Sequence, residues 1–161
     1  MKSTMSKSRI FFDSSALIAG VLSSTGAARV LMVMSEMGEI QLLVSEYVIV
    51  ETERSLARKV PVALPDFRQA LKDADIKIVH DPPAKEVREN LYLMTDVEDV
   101  PVLLAAMKAR VDYLATHNRR HFLDDPKVAE KSGLRLGTPG DMLMWVREQM
   151  RNESFGHNIG E

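Results

Sequence analysis

The stretch "RIFFDSSALIAG", Arg9–Gly20, decides how the chain is read. Ile10-Phe11-Phe12 is short, apolar and built from strand formers, whereas "SALIAGVL" reads as helical turns broken near "SSTGAA". Asp13 stands at the junction and is followed at once by two small hydroxyl residues, Ser14 and Ser15. A buried strand that ends on a carboxylate puts charge where an open α/β sheet receives its ligands, at the strand's carboxyl end. The question is which other acids reach that edge.

Working outward, the pattern repeats. Over Ala27–Met37, residues Val30, Leu31, Met34 and Met37 fall at helical spacing, and Gly38 caps the segment. "IQLLVS" is a second strand, and Ser45 caps a helix over Glu46–Lys59 with Val48, Ile49, Leu56 and Val60 on one side. Pro61 and Pro65 interrupt the chain before a short helix at "DFRQALKDA". A third strand, "IKIVH", is closed by "DPP". A helix is expected through "AKEVRENLYLM" and another through the second half of "TDVEDVPVLLAAMKAR". "DYLAT" and "LRLGTP" supply strands four and five, and "GDMLMWVREQM" a closing helix. Short strands alternating with helices predict an α/β fold with a parallel sheet covered on both faces, so all strand carboxyl ends share one edge.

Composition narrows the class. The 161 residues, 45% of them apolar, suit one domain with a sizeable core. Residues 9–147 form the expected domain, with 1–8 and 151–161 as flexible termini. With 21 basic and 23 acidic residues the net charge is −2, so nucleic-acid contact has to come from local patches. The absence of cysteine removes disulfides, thiolate zinc sites and cysteine nucleophiles, and fits a reducing cytoplasm. No apolar run reaches the roughly 18 residues of a membrane span, so no membrane association is expected.

The acids have local explanations as well as chemical ones. Asp13 suits the N-cap of the helix after it. Thr95-Asp96-Val97-Glu98 fits a capping box, Pro101 suits a first helical turn, and Asp96 and Asp99 complement the helix dipole. Glu51 lies in mid-helix, about 60° around from Val48 on the flank of the apolar face, with Arg54 as a surface partner. The combination is more telling than any member. Carboxylates after strand one, on the helix after strand two and before strand four can meet at one edge, and their repulsion raises their pKa values unless a cation joins them. Mg²⁺, with its octahedral oxygen ligands and retained waters, meets that need, and it serves phosphodiester chemistry. "YLATHNRRHFL" reads either as a solvated loop with Asn118 at a turn, or as a functional segment in which Thr116 and Asn118 touch metal-bound water or phosphate and Arg119 and Arg120 grip a backbone phosphate. His117 and His121 lack the spacing of a zinc motif and read as loop residues.

The chain resembles PIN-domain proteins, of the kind found as VapC-type toxins in bacteria and archaea. The resemblance runs from about Arg9 to Val146 and rests on "FFDSSALIAG", "VSEYVIVETERSL", "DVEDVPVLLAAMKARVDYLATHNRRHFL" and "LRLGTPGDML" taken in order. It implies a Rossmann-like three-layer α/β/α sandwich with a central parallel sheet, and a Mg²⁺- or Mn²⁺-dependent endoribonuclease. By match, Asp13, Glu51 and Asp99 take the catalytic acid positions. Asp13, Asp99 and the additional acid Asp96 take the metal positions. Ser15, Thr116, Asn118, Arg119 and Arg120 are expected to contact substrate. The family frequently carries a fourth aspartate where this chain has Asn118, which keeps an acceptor oxygen but loses the charge; Asp124 and Asp125 are the nearby acids that could compensate. The implied partners are an RNA substrate, a cognate antitoxin and a second copy of the chain, in the cytoplasm. The Met-rich helix "VLMVMSEM" serves either that dimer or ordinary core packing.

Two rival classes are set against this. One is a catalytically weak or inactive RNA-binding or interaction module, disabled by the missing fourth acid. The other is a phosphate-handling α/β domain, which is disfavoured because Ser15 stands where a dehalogenase-type phosphatase needs its second aspartate. The closing segment also lacks the lysine of a receiver domain.

Overall fold

The computed structural model describes residues 7–159, and its centre is the strand that opens the chain. β1 (Ser8–Phe12) is flanked by β2 (Ile40–Ser45) and β4 (Tyr113–Ala115), with β3 (Lys77–Val79) and β5 (Arg135–Gly137) at the edges. All pairings are parallel, in the order β3-β2-β1-β4-β5. A strand buried between two neighbours and two helical layers must be apolar throughout, and Ile10, Phe11 and Phe12 are fully buried. The helices α1 (Ser14–Leu22), α2 (Ala27–Glu36), α3 (Glu46–Lys59), α4 (Leu64–Asp73) and α8 (Pro139–Ile159) pack among themselves. A second group comprises α5 (Ala84–Glu89), α6 (Val100–Lys108) and α7 (Pro126–Ser132). The fold is thus the expected three-layer α/β/α sandwich with a central parallel sheet.

Local signals explain most boundaries. Ser45 accepts the Val48 N–H and opens α3, and Gly38, at φ +77°, takes the left-handed turn that closes α2. The buried stripe of α2 is Ala28, Leu31, Met32 and Ser35, whereas Met37 is exposed, because the helix ends before it. The helix expected through "AKEVRENLYLM" breaks at Asn90. Its side-chain amide donates to the Glu86 carbonyl at 2.7 Å, competing with the backbone for that acceptor, and a 3₁₀ turn at Leu91–Leu93 then buries Leu93. The capping box at Thr95 does not form. Asp96 instead accepts the Glu98 N–H at 3.2 Å and caps a 3₁₀ turn, Val97–Asp99, that leads into α6. α8 continues through residues 151–159, carried on from its packed first turns. Residues 1–6 and 160–161 lie outside the described residues.

Among the described residues no single helix is long and apolar enough to cross a membrane; α1 and α2 together pass by composition but meet at 87°. One buried polar atom has no hydrogen-bond partner among the described residues, the Thr52 hydroxyl on the buried face of α3. Thr52→Val keeps the shape and removes the unpaired group, so it is expected to stabilise the fold by about 1 kcal/mol. The check is a higher urea midpoint at unchanged m-value.

Candidate active site

Sheet register builds the first half of the site. Phe12 pairs with Ala115, and the Asp13 N–H continues the ladder by donating to the Ala115 carbonyl at 3.2 Å, so Asp13 and Thr116 emerge side by side at the carboxyl edge. The Asp13 carboxylate is only 7% exposed and is held from three directions. Ser15 Oγ donates to Oδ1 at 2.6 Å, the Ala16 N–H to the same oxygen at 3.0 Å, and Thr116 Oγ1 to Oδ2. Asp13 thus caps α1 and also stands at the sheet edge. Ser15 and Thr116, expected to touch substrate, both donate to Asp13. They also accept the backbone N–H groups of His117 and Asn118, each at 2.9 Å, which ties the loop after β4 to the start of α1.

Glu51 comes from the second turn of α3 and Asp99 from the start of α6. With Asp13, Ser14, Ser15, Val102, Asn118 and Phe122 they line a cleft of about 230 Å³ that contains no basic side chain. Each of the three carboxylates has its proton affinity raised. For Asp13 the cause is burial, opposed by its Ser15, Thr116 and Ala16 hydrogen bonds and by His117. For Glu51 it is burial first, opposed by the Ser14 hydroxyl and Arg54, with repulsion from Asp13 and Asp99 added. For Asp99 it is again burial, opposed by the His121 hydrogen bond, with Asp96 and Asp13 adding repulsion. The field extends to Tyr47, one turn before Glu51, whose hydroxyl is raised by burial and then by Glu51 and Asp99.

These acids fit a hydrated divalent cation. They are mutually repelling, partly desolvated and free of lysine or arginine in the cleft, so a cation would relieve their cost. The tighter grouping is Asp96, Asp99 and His121, whose ligand atoms lie within 4.8 Å of one another. Asp13, Glu51 and Asp99 stand more loosely around the cleft, which suits an ion such as Mg²⁺ that binds one or two carboxylates directly and keeps several waters.

The remaining expected residues distribute unevenly. Asn118 lines the cleft, and its Oδ1 accepts the His121 N–H at 3.1 Å, starting a π-type turn over Arg119–Leu123. Asp96 faces a neighbouring hollow together with Thr95, Arg120, His121 and Asp125. Arg119 lines a third hollow beside Leu136 and Asp141. Neither arginine lines the acidic cleft; both are exposed on the loop at its side. Asp125 caps α7 by accepting the Lys127 N–H at 3.0 Å and, like Asp124, does not line the cleft. His121 is more than a loop residue: its ring bridges two carboxylates, with Nδ1 2.7 Å from Asp99 and Nε2 3.0 Å from Asp96. Nothing in local spacing announces this bridge, because it joins His121 to acids 22 and 25 positions earlier in the chain.

The raised proton affinities have a consequence for the metal-free protein. A carboxyl whose folded pKa exceeds its unfolded value, about 4 for Asp and Glu, contributes most stability below that value and loses it as pH rises through the folded pKa. Melting temperature in a chelator is therefore expected to carry a component that falls as pH rises above about 4, and Mg²⁺ or Mn²⁺ is expected to restore it at neutral pH. Melts with and without the ion across that range test this.

Comparison with known proteins agrees with the fold. A family model for the PIN domain matches residues 9–120. The crystal structure of PAE2754 from Pyrobaculum aerophilum aligns with a TM-score of 0.61 at 17% identity, over 88% of this chain and 96% of that one. VapBC2 from Rickettsia felis, solved bound to a DNA fragment from their promoter, aligns with a TM-score of 0.57 at 15% identity, over 81% of this chain and 98% of that one. A search of curated protein sequences finds no match. With a matching family model across most of its length, this chain belongs to the PIN-domain family.

Proposed function

We propose that the protein is a Mg²⁺- or Mn²⁺-dependent endoribonuclease, acting as the toxin of a toxin–antitoxin pair. The observation that carries this reading is the convergence of Asp13, Glu51 and Asp99, from three separate elements, on one cleft without a basic side chain. Asp13 and Asp99 are the residues to hold the ion, with Glu51 reaching its water shell. A bound ion would polarise the phosphodiester, lower the pKa of the attacking water and stabilise the leaving oxygen. The chain's own residues do the rest. Ser15 and Thr116 fix Asp13 and oppose part of the rise in proton affinity that burial imposes on it, since hydrogen bonds to a carboxylate favour its charged form. Glu51, with its raised proton affinity, accepts the proton from the attacking water at a carboxylate oxygen. Arg119 and Arg120, exposed beside the cleft, hold backbone phosphates on either side of the bond that breaks. The antitoxin half of the proposal draws on the family and on the VapBC2 likeness; a homodimer and a cytoplasmic setting belong to the same reading.

The test is RNA cleavage by purified protein with Mg²⁺, with Mn²⁺ and with chelator. Cleavage is expected only with an ion, and Asp13→Asn is expected to remove it. A second reading, an RNA-binding module without chemistry, is favoured by one feature: the fourth position is the neutral Asn118, already engaged by His121. RNA binding without cleavage at any ion concentration would select that reading.

A further inference from the structure

We propose that His121 is a positioning residue for Asp99, and that Asp96 anchors the His121 ring instead of ligating metal. This rests on the function proposed above. The two imidazole nitrogens meet two different carboxylates, Nδ1 at 2.7 Å from Asp99 Oδ2 and Nε2 at 3.0 Å from Asp96 Oδ2. Those contacts lie on opposite edges of one ring, so a single ion cannot stand in for both. The ring is a bridge.

The two acids differ in what is left over. Asp96 spends both oxygens on protein, Oδ2 on His121 and Oδ1 on the Glu98 N–H at 3.2 Å, and it faces the hollow lined by Thr95 and Asp125. Asp99 lines the cleft of Asp13 and Glu51, and its Oδ1 has no protein partner among the described residues. Asp99 also makes no capping bond to its own helix, so nothing in α6 orients its side chain. His121 supplies that orientation. The His121 backbone is in turn held by Asn118, whose Oδ1 accepts the His121 N–H at 3.1 Å. The chain Asp96–His121–Asp99 thus resembles the hydrogen-bonded partners that fix ligands around metal sites, whose loss costs about 10–100-fold in metal affinity.

The experiment is Mn²⁺ binding to the purified full-length chain, read from the free-ion resonance signal with no RNA present, alongside circular dichroism for folding. His121→Ala is expected to weaken binding by about 10–100-fold. His121→Asn, whose amide reaches toward the position of Nδ1, is expected to recover most of that loss, and His121→Gln, which reaches toward Nε2, little of it. Asp96→Ala is expected to cost less, and nothing further in the His121→Ala background. Should His121→Ala fail to fold, the Asn against Gln comparison carries the test. Binding unchanged or tightened in His121→Ala would overturn the positioning role, and a full additional loss from Asp96→Ala in that background would make Asp96 a ligand. Wild-type protein that binds no Mn²⁺ overturns the metal-dependent function and this role together, whereas normal wild-type binding with indifferent His121 variants overturns this role alone.

Discussion

Glu51→Gln is expected to lower RNA cleavage by more than about 100-fold, beyond what loss of an outer partner costs, while making the metal-free protein more stable at pH 7. The two effects share one cause. Glu51 is a partly buried carboxylate whose charge is opposed by desolvation and by Asp13 and Asp99. Its folded pKa lies above its unfolded value, so ionising it as pH rises is a net cost to the fold. Glutamine matches it in volume and helix propensity and removes the charge, and with it the repulsion felt by its two neighbours. The same substitution removes the acceptor for the water's proton. Melts in chelator and cleavage assays in Mg²⁺ on one preparation read both effects. Full cleavage by Glu51→Gln, or an unchanged metal-free melting temperature, would show that the three acids do not act as one site.

Phe12→Ala is expected to be the most damaging core change, at about 3–5 kcal/mol. Phe12 is fully buried at the end of the central strand, and its backbone pairs with Ala115 immediately before Asp13 leaves the sheet. A cavity there removes packing between the layers and loosens the segment that aims Asp13. Since a domain's whole stability is about 5–15 kcal/mol, the variant should lose a large share of it. Phe12→Leu, which conserves more volume, should cost less than about 1.5 kcal/mol and keep its ion-binding capacity. Urea unfolding of the pair decides the point, and a loss below 1 kcal/mol for Phe12→Ala would mean the site does not depend on that packing.

What the sequence made legible follows the range of the forces involved. Apolar runs bounded by caps mark β1, β2 and α3, because burial on both sheet faces and a serine cap leave short-range signatures. Ser45 and Lys59 bracket α3 at both ends for that reason. Asn90 broke an expected helix through a side-chain bond that competes with the backbone, a choice helix periodicity does not record. The acids were visible as residues that ended strands or opened helices, and their meeting followed from parallel strands sharing one edge. The finer division was not visible. Ser15 and Thr116 read as substrate contacts, and their hold on Asp13 was not legible, because only sheet register places Thr116 next to it. Asp96 and Asp99 looked equivalent by spacing, and only the return of the loop after β4 separates them by inserting His121. Contacts of that kind join residues more than 20 positions apart, and no local pattern encodes them.

The central claim is that Asp13, Glu51 and Asp99 serve one cation. Diffraction from Mn²⁺-soaked crystals, collected at an energy where manganese scatters anomalously, tests it without reference to RNA or to turnover. The predicted result is a peak in the cleft between these three carboxylates, lost in Asp13→Asn crystals. A peak confined to the hollow beside Asp96, or none at either place under saturating ion, would contradict it.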